Sequence, residues 1–223
     1  MIKFLICHLL FFLTHIRLFL NFSIILVNCL YEIFVYLQNC KFMKLIPTKI
    51  KDLFIIEPTV FGDDRGYFFE SFNAEKFNEA IGREVNFVQD NQSMSGANIV
   101  RGLHFQNPPF AQGKLVRVIE GEVIDVAVDI RKDSPTYGEH VSVRLTGENK
   151  RMFWIPEGFA HGFSSLKEGT IFSYKCTNYY NKESEGSIAW NDKDLAINWE
   201  VEALVISEKD QEANKFEELK SKF

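Results

Sequence analysis

Apolar and polar residues alternate with a period of two in short segments of the chain after residue 50. In the segment 124–131, four aliphatic side chains alternate with Asp125, Ala127, Asp129 and Arg131. Successive side chains of a β-strand point to opposite faces of a sheet, so this pattern indicates a strand. Further strand-like segments lie at 115–119, 141–145, 152–155 and 170–177, with turn residues at 121, 147–149 and 156–158 between them. This spacing predicts an all-β sandwich or barrel, with a tight hairpin or bulge at Gly121.

Two short helices are also predicted. The first lies between Asn73, a favourable N-cap residue, and Gly82, a favourable residue for ending a helix. The second follows Ser207, and its predicted apolar stripe consists of Ala213, Phe216, Leu219 and Phe223.

Residues 1–42 differ from the rest of the chain. They are rich in Leu, Ile, Phe, Val, Asn and Tyr without periodicity, whereas a conventional globular pattern begins at Met43. We expect them to be a spurious or non-functional extension, with translation beginning at Met43, and we expect 43–223 to be one domain. The alternative is a membrane anchor, because segment 18–37 has Glu32 as its only charge and approaches the length of one bilayer crossing.

Charge and cysteine content narrow the class of protein. The net charge of -5 and the pI of about 5.6 argue against a nucleic-acid partner, which usually requires a basic face. The four cysteines include no CxxC pair, so neither a zinc site nor a disulfide framework is indicated. Only Cys176 lies outside the N-terminal segment, which favours a cytoplasmic protein, membrane-anchored only if residues 1–42 are a genuine part of it.

Two histidines lie in segments similar to those that ligate metal in cupins, the small double-stranded β-helix proteins. These are His104 and His161. A metal-binding cupin would have another histidine two residues after His104, but Gln106 occupies that position. One imidazole in place of two removes the ligands that a stable metal site needs, so we expect a cupin-type jelly roll without a metal.

Seven motifs occur in an order that resembles one family. They are FGDDRGYFFE (61–70), QDNQS (89–93), RGLHFQ (101–106), GKLVR (113–117), DVAVDIR (125–131), PEGFAHGF (156–163) and YKCTNYY (174–180). In this order they resemble the dTDP-4-dehydrorhamnose 3,5-epimerase family, from about residue 43 to the C-terminus. The resemblance implies a cofactor-free isomerase that inverts C3 and C5 of dTDP-4-dehydro-6-deoxyglucose, giving dTDP-4-dehydro-L-rhamnose.

The resemblance also implies four catalytic roles. His104 would be the base, Tyr174 the acid, Lys114 the group that stabilises charge on O4, and Asp210 the partner of the imidazole. Removal of a proton beside a ketone requires a base and a group that holds the enolate oxygen, so these residue types suit the reaction. Other interpretations remain open. His104 and Tyr174 could be ordinary strand residues, and Asp210 could belong to a helix cap that begins at Ser207.

Further residues are assigned to substrate binding by the same resemblance. Guanidinium groups bind phosphate oxygens bidentately, and an aromatic face can stack on thymine. The assigned residues are Arg65, Phe68, Glu70, Gln89, Asn91 and Arg101 for the nucleotide, His161 and Tyr180 for the sugar, and Glu185. His161 could instead be a structural remnant of a metal site. Arg101 and His104 would face opposite sides of a regular strand, so we expect a bulge at Gly102 if they share a pocket.

The resemblance suggests a homodimer in which an arm of one subunit borders the site of the other. It also suggests a role in deoxysugar supply for cell-surface polysaccharide, such as the O antigen of lipopolysaccharide. One rival is a single-position epimerase, acting at C3 or C5 of a related dTDP-4-keto-hexose. The others are a metal-dependent cupin oxygenase and a non-catalytic binder of sugar nucleotides.

Overall fold

The computed structural model describes residues 43–201 and 205–223, so the predictions for residues 1–42 lie outside it. Its strands form two large antiparallel sheets and one hairpin. The six-stranded sheet has the order β1 (Met43–Pro47), β2 (Phe54–Pro58), β10 (Met152–Ile155), β7 (Lys114–Glu120), β12 (Thr170–Cys176) and β5 (Gln89–Ser95). The five-stranded sheet has the order β13 (Glu185–Ser187), β6 (Ile99–Gln106), β11 (Phe159–Ser165), β8 (Glu122–Asp129) and β9 (His140–Thr146). The hairpin consists of β3 (Phe61–Asp63) and β4 (Gly66–Phe68).

The two large sheets pack face to face around a shared apolar core. Val116 and Phe172 contribute to this core from the six-stranded sheet, and Ala127 and Phe163 contribute from the five-stranded sheet. The rings of Phe163 and Phe172 stack across the sandwich with their centroids 4.2 Å apart. The period-two alternation therefore arises because one face of each strand is buried in this core. The prediction of an all-β sandwich is confirmed.

The residue Gly121 does not form the hairpin that the sequence suggested. Strands β7 and β8 on either side of it belong to different sheets and do not pair. Gly121 has φ of 85°, and a Cβ at this position would lie 2.3 Å from Oγ1 of Thr170, so the tight corner between the sheets requires glycine. A register shift of β7 against β12 does occur nearby, at Ile119, so the bulge is present without the hairpin.

Helix α1 (Ala74–Ile81) lies between Asn73 and Gly82, as predicted, and it packs on the outer face of the six-stranded sheet. The side chain of Asn73 accepts a hydrogen bond from the backbone of Lys76, and Gly82 ends the helix in the left-handed conformation. The ring of Phe77 packs edge-on against Trp154 of β10, with centroids 5.3 Å apart. This contact fixes the helix on the sheet.

The C-terminal segment covers the outer face of the five-stranded sheet, but the second helix is much shorter than predicted. Helix α2 spans only Glu208–Gln211, and a 3-10 turn follows at Phe216–Glu218. Three side chains of the predicted stripe, Phe216, Leu219 and Phe223, pack on the sheet from largely extended chain, and Ala213 does not belong to this cluster. Backbone groups needed for a longer helix bond elsewhere, since the nitrogen of Phe216 donates to Asp192. Among residues 43–201 and 205–223, no helix has the length and apolar character needed to cross a bilayer.

Candidate active site

A hollow of about 320 Å³ opens at one end of the sandwich, between the two sheets. Polar side chains from both sheets meet there, together with residues of the loop that follows β12. Of the thirteen predicted site residues, those that line it are Gln89, Asn91, His104, Lys114, Tyr174, Tyr180 and Glu185. Three of the four predicted catalytic residues therefore face one cavity.

The fourth, Asp210, lies directly behind His104. Its Oδ1 is 2.6 Å from Nε2 of His104, its Oδ2 accepts a bond from the backbone nitrogen of Gly102 at 3.4 Å, and only 4% of the residue is exposed. Burial acts to raise the pKa of Asp210, but these hydrogen bonds outweigh it and the pKa lies below its ordinary value. A carboxylate only accepts hydrogen bonds, so Nε2 of His104 carries the proton and Nδ1 retains a lone pair.

Asp210 both belongs to the capped first turn of α2 and contacts His104. The hydroxyl of Ser207 accepts a hydrogen bond from the backbone nitrogen of Asp210 at 3.2 Å, which caps the first turn of α2. The carboxylate of Asp210 does not complete a capping box, because it is directed at His104. The cap thus holds the backbone of α2 while the side chain reaches the imidazole.

The bulge expected at Gly102 is present. His104 pairs with His161, and Arg101 pairs with Phe163. The two pairs are three residues apart on β6 but only two residues apart on β11, so β6 contains one extra residue. The extra residue brings Arg101 and His104 to the same side of β6. Arg101 donates to the hydroxyl of Ser95 at 3.1 Å, and its positive charge acts on the phenol of Tyr174.

Lys114 begins β7 and shares the inward face of that strand with Val116. None of the described residues forms a hydrogen bond or an ion pair with its ammonium group. Burial lowers the pKa of Lys114, while the nearby Cys176, Asp125 and Glu185 act to raise it. An ammonium without a fixed partner at the cavity wall is available to a negatively charged oxygen of a ligand.

Tyr174 lies on β12, opposite Val116 of β7 and Asn91 of β5. Its ring packs against Phe172 with centroids 6.0 Å apart, so part of the side chain belongs to the core as the simpler interpretation proposed. Its side of the strand also faces the cavity. Burial raises the pKa of the Tyr174 phenol, which keeps the hydroxyl protonated and able to donate a proton.

His161 lies beneath the cavity wall, with 7% of the residue exposed. Its Nε2 is 3.0 and 2.9 Å from the two carboxylate oxygens of Asp125, and burial lowers the pKa of the ring. Asp125 and Asp129 are both fully buried, and both lie on the inward face of β8. They do not share a pocket, because Asp129 binds Arg131 and the loop that follows it.

Two hydrogen-bond networks organise the rim of the cavity. In the first, Gln89 donates to Asn91 at 3.1 Å, and Asn91 donates to the thiol of Cys176 at 3.6 Å. In the second, the carboxylate of Glu185 accepts from the hydroxyl of Tyr180 at 3.1 Å and pairs with Lys209. These contacts fix the orientation of side chains that the sequence assigned to substrate binding.

Two features of the site were not predicted from the sequence. One is the ion pair that Lys209 forms with Glu185, and the other is the structural role of Gln106. The amide of Gln106 donates to the carbonyls of Phe110 and Tyr179 and accepts from the backbone of Asn181, so it ties together the loops around the cavity. The only sequence signal for Gln106 was its place two residues after His104. Lys209 had a similar signal, its position beside Asp210.

Four of the six predicted nucleotide-binding residues do not line the cavity within this chain. One is Arg101, described above, and the other three lie in or just after the β3–β4 hairpin. Arg65 and Phe68 lie on the exposed β3–β4 hairpin, where Arg65 pairs with Asp63 and Phe68 is 69% exposed. Glu70 pairs with Lys76 at 2.8 Å, just before α1. Arg65 and Phe68 are exposed on the hairpin, and the ion pair with Lys76 holds Glu70.

Each of the two histidines contacts a carboxylate. His104 and His161 are paired in register on neighbouring strands, but each directs a ring nitrogen at a carboxylate. Within the described part of the chain, no three His, Cys, Asp or Glu side chains are grouped so that they could hold a metal ion. The arrangement of imidazole, ammonium and phenol around one cavity defines an acid–base enzyme on a cupin-type β fold.

The chain belongs to the dTDP-4-dehydrorhamnose 3,5-epimerase family, whose model matches residues 47–218. The Shigella flexneri enzyme of that name is 56% identical over 174 residues, covering 78% of this chain and 96% of the relative. A crystal structure of the Elizabethkingia anophelis NUHP1 enzyme has a TM-score of 0.76 and 53% identity, covering 79% of this chain and 97% of that chain.

A second similar structure contains a ligand. The Legionella pneumophila dTDP-6-deoxy-D-glucose-3,5-epimerase, in complex with dTDP-4-keto-L-rhamnose, has a TM-score of 0.75 and 53% identity. The alignment covers 78% of this chain and 92% of that chain. The family, the cupin-type fold and the assignment to the isomerases are therefore confirmed.

Proposed function

We propose that the chain inverts C3 and C5 of dTDP-4-dehydro-6-deoxyglucose, giving dTDP-4-dehydro-L-rhamnose, by proton transfer without a cofactor. The observation that supports this most directly is the His104–Asp210 contact of 2.6 Å at a cavity that Lys114 and Tyr174 also line. Both carbons flank the C4 ketone, so one set of acid and base groups can serve both inversions. The names of the similar proteins agree with this substrate.

In this proposal His104 removes the proton through Nδ1, because Asp210 occupies Nε2. The negative charge of Asp210 then stabilises the imidazolium that forms. As the carbanion delocalises into the ketone, Lys114 stabilises the negative charge that develops on O4. Tyr174 returns a proton from the opposite face, which inverts the carbon. No hydride leaves the sugar, so the reaction requires no redox cofactor.

The dTDP portion would bind next to the catalytic groups. Gln89 and Asn91 offer amide edges to the base, and Arg101 offers a guanidinium group to the diphosphate. Tyr180 and Glu185 would border the sugar end, where they already contact each other at 3.1 Å. His161 would act from behind the wall through its buried contact with Asp125.

A second copy of the chain would supply Arg65, Phe68 and Glu70, so the working enzyme would be a homodimer. The support for this is the exposure of aromatic rings on the β3–β4 hairpin, where Tyr67 is 60% exposed and Phe68 is 69% exposed. Exposed aromatic side chains on a projecting hairpin are typical of a binding surface. The reaction would take place in the cytoplasm, in keeping with the free thiol of Cys176.

Deuterium incorporation tests the reaction. The full-length chain is incubated with dTDP-4-dehydro-6-deoxyglucose in heavy water, C3 and C5 are followed by NMR, and a downstream reductase traps inverted product. We expect label at both carbons and a trapped L-sugar. Label at one carbon would support the single-position alternative, and no label with dTDP still bound would contradict the proposed chemistry.

A further inference from the structure

The carboxylate of Asp125 is fully buried and faces the interior of the sandwich from β8. It shares this face with Val123 and Ala127, which belong to the core between the sheets. Both of its oxygens lie within 3.0 Å of one atom, Nε2 of His161. A carboxylate has about four acceptor sites, so this single imidazole proton leaves most of its capacity unused.

His161 does not neutralise the charge of Asp125. Since a carboxylate only accepts hydrogen bonds, Nε2 of His161 carries the proton in this contact. Burial lowers the pKa of His161, and together with the charges of Lys114 and His104 it outweighs the raising effect of Asp125, so the neutral ring is favoured. A buried negative charge on Asp125 therefore requires another positive group nearby.

Among residues 43–201 and 205–223, none forms a hydrogen bond or an ion pair with the ammonium of Lys114. The groups that act on its ammonium from neighbouring strands are Cys176 of β12, Asp125 of β8 and Glu185 of β13, with His161 of β11 near the same charge. The carboxylate of Glu185 is already paired with Lys209. Asp125 is the carboxylate of this set whose bonded partner is neutral.

We propose that Asp125 is a positioning residue that keeps Lys114 protonated during the reaction, while the neutral ring of His161 holds the carboxylate in place. Lys114 then presents a full positive charge to the O4 of the substrate, although it lies in a site that disfavours charge. The inference rests on the proposed function, because it concerns the group that stabilises the enolate.

The test compares the pH dependence of deuterium exchange in the unsubstituted chain and in Asp125→Asn. The amide keeps the shape of the side chain but removes its charge, so Lys114 should lose its proton at lower pH. We expect the exchange rate of the variant to fall by about tenfold more at about pH 9 than at about pH 7. Equal losses at both pH values would overturn the inference.

Asp129→Asn is the matched control. Asp129 lies on the same face of β8 and is equally buried, but its partners are Arg131, Ser134 and Thr136. This variant should lower the melting temperature and leave the alkaline side of the pH profile in place. The same alkaline shift in both variants would show a general effect of instability and would overturn the inference.

Asp125→Glu retains the charge and provides a second variant if Asp125→Asn does not fold. Its displaced carboxylate should lower the deuterium-exchange rate at all pH values. The pH at which the rate falls on the alkaline side should stay unchanged. If the exchange rate of Asp125→Glu fell at a lower pH than that of the unsubstituted chain, the result would contradict the role assigned to the negative charge at this position. No exchange by the unsubstituted chain would overturn the proposed function itself, and the inference with it.

Discussion

Nε2 of His104 and Oδ1 of Asp210 lie 2.6 Å apart, although 106 residues separate them in the sequence. Asp210→Asn keeps the shape of this contact but removes the negative charge that stabilises a protonated imidazole. We expect exchange at both C3 and C5 to slow by about a hundredfold or more, with dTDP affinity nearly unchanged. NMR exchange rates and calorimetric titration with dTDP measure the two effects. An unchanged exchange rate would remove Asp210 from the mechanism.

Tyr174→Phe should separate the two halves of the reaction. Without the phenol, His104 can still remove and return a proton on one face, but delivery to the opposite face is lost. We expect inversion to fall at least about tenfold more than exchange. Tyr137→Phe is the control, because this ring packs on Phe216 away from the cavity. Equal losses of exchange and inversion in Tyr174→Phe would argue against the acid role.

The strands and the first helix were predictable because their signals are local. The alternation in 124–131 reflects one-sided burial of β8, and the caps of α1 lie next to it in sequence. The pairing of strands depends on contacts far apart in sequence, which is why the hairpin prediction at Gly121 failed. The stripe after Ser207 suited an extended segment on an apolar sheet as well as a helix, so that prediction failed too.

The motifs predicted which residues belong to the candidate site, but they did not predict how these residues are arranged. The resemblance to the family identified His104, Lys114 and Tyr174 as candidates, and the structure places them around one cavity. No spacing rule indicates that Asp210 reaches His104, because the contact depends on the path of the C-terminal segment. Likewise, the sequence could not show that Arg65 lies on a hairpin remote from the cavity of its own chain.

Gly102→Ala should disrupt the bulge that aligns Arg101 with His104. Gly102 has φ of 126°, and an added Cβ would lie 2.6 Å from the backbone of Gly162. The backbone must move, so we expect a loss of about 2 kcal/mol or more in stability and a large loss of exchange activity.

Gly169→Ala is the control for Gly102→Ala. Gly169 also has a positive φ, but a Cβ there meets nothing within 4 Å. Its cost should be limited to backbone strain of about 1 kcal/mol, with exchange activity retained. Urea unfolding and NMR exchange provide the measurements. Similar stability and activity in the two variants would contradict the role assigned to the bulge.

Mixing two defective variants tests the proposed homodimer. Arg65→Ala would lack a nucleotide contact and His104→Ala would lack the base. If each site combines His104 of one chain with Arg65 of the other, a hybrid dimer has one intact site. After co-refolding of equal amounts, activity should return to about a quarter of the unsubstituted level.

The control for this mixing experiment replaces a neighbouring charge on the same hairpin turn. Asp64→Ala should retain full activity alone, because its side chain is exposed and is not assigned to the substrate. Activity of the Arg65→Ala and His104→Ala mixture that equals the sum of the separate variants would indicate that each site is built within one chain. Gel filtration of the unsubstituted protein gives the oligomeric state independently.

Acid should weaken the fold through Asp129. Burial acts to raise the pKa of Asp129, but bonds from Arg131, Ser134 and Thr136 outweigh it and lower the pKa. A lowered folded-state pKa contributes stability above the unfolded value of about 3.9, and that stability is lost as the pH falls through the folded value. At about pH 7, Asp129→Asn should therefore reduce the free energy of unfolding by about 2–4 kcal/mol.

The difference between Asp129→Asn and the unsubstituted chain should begin to narrow below about pH 4, because the unfolded chain then takes up a proton that the native carboxylate accepts only at lower pH. Asp133→Asn, at an exposed position in the same loop, should change the free energy of unfolding by less than about 0.5 kcal/mol at either pH. Urea unfolding at about pH 7 and about pH 3 measures both variants. A difference for Asp129→Asn that stays constant across this range would mean that the charge of Asp129 does not contribute, and that its hydrogen bonds stabilise the loop equally well in neutral form.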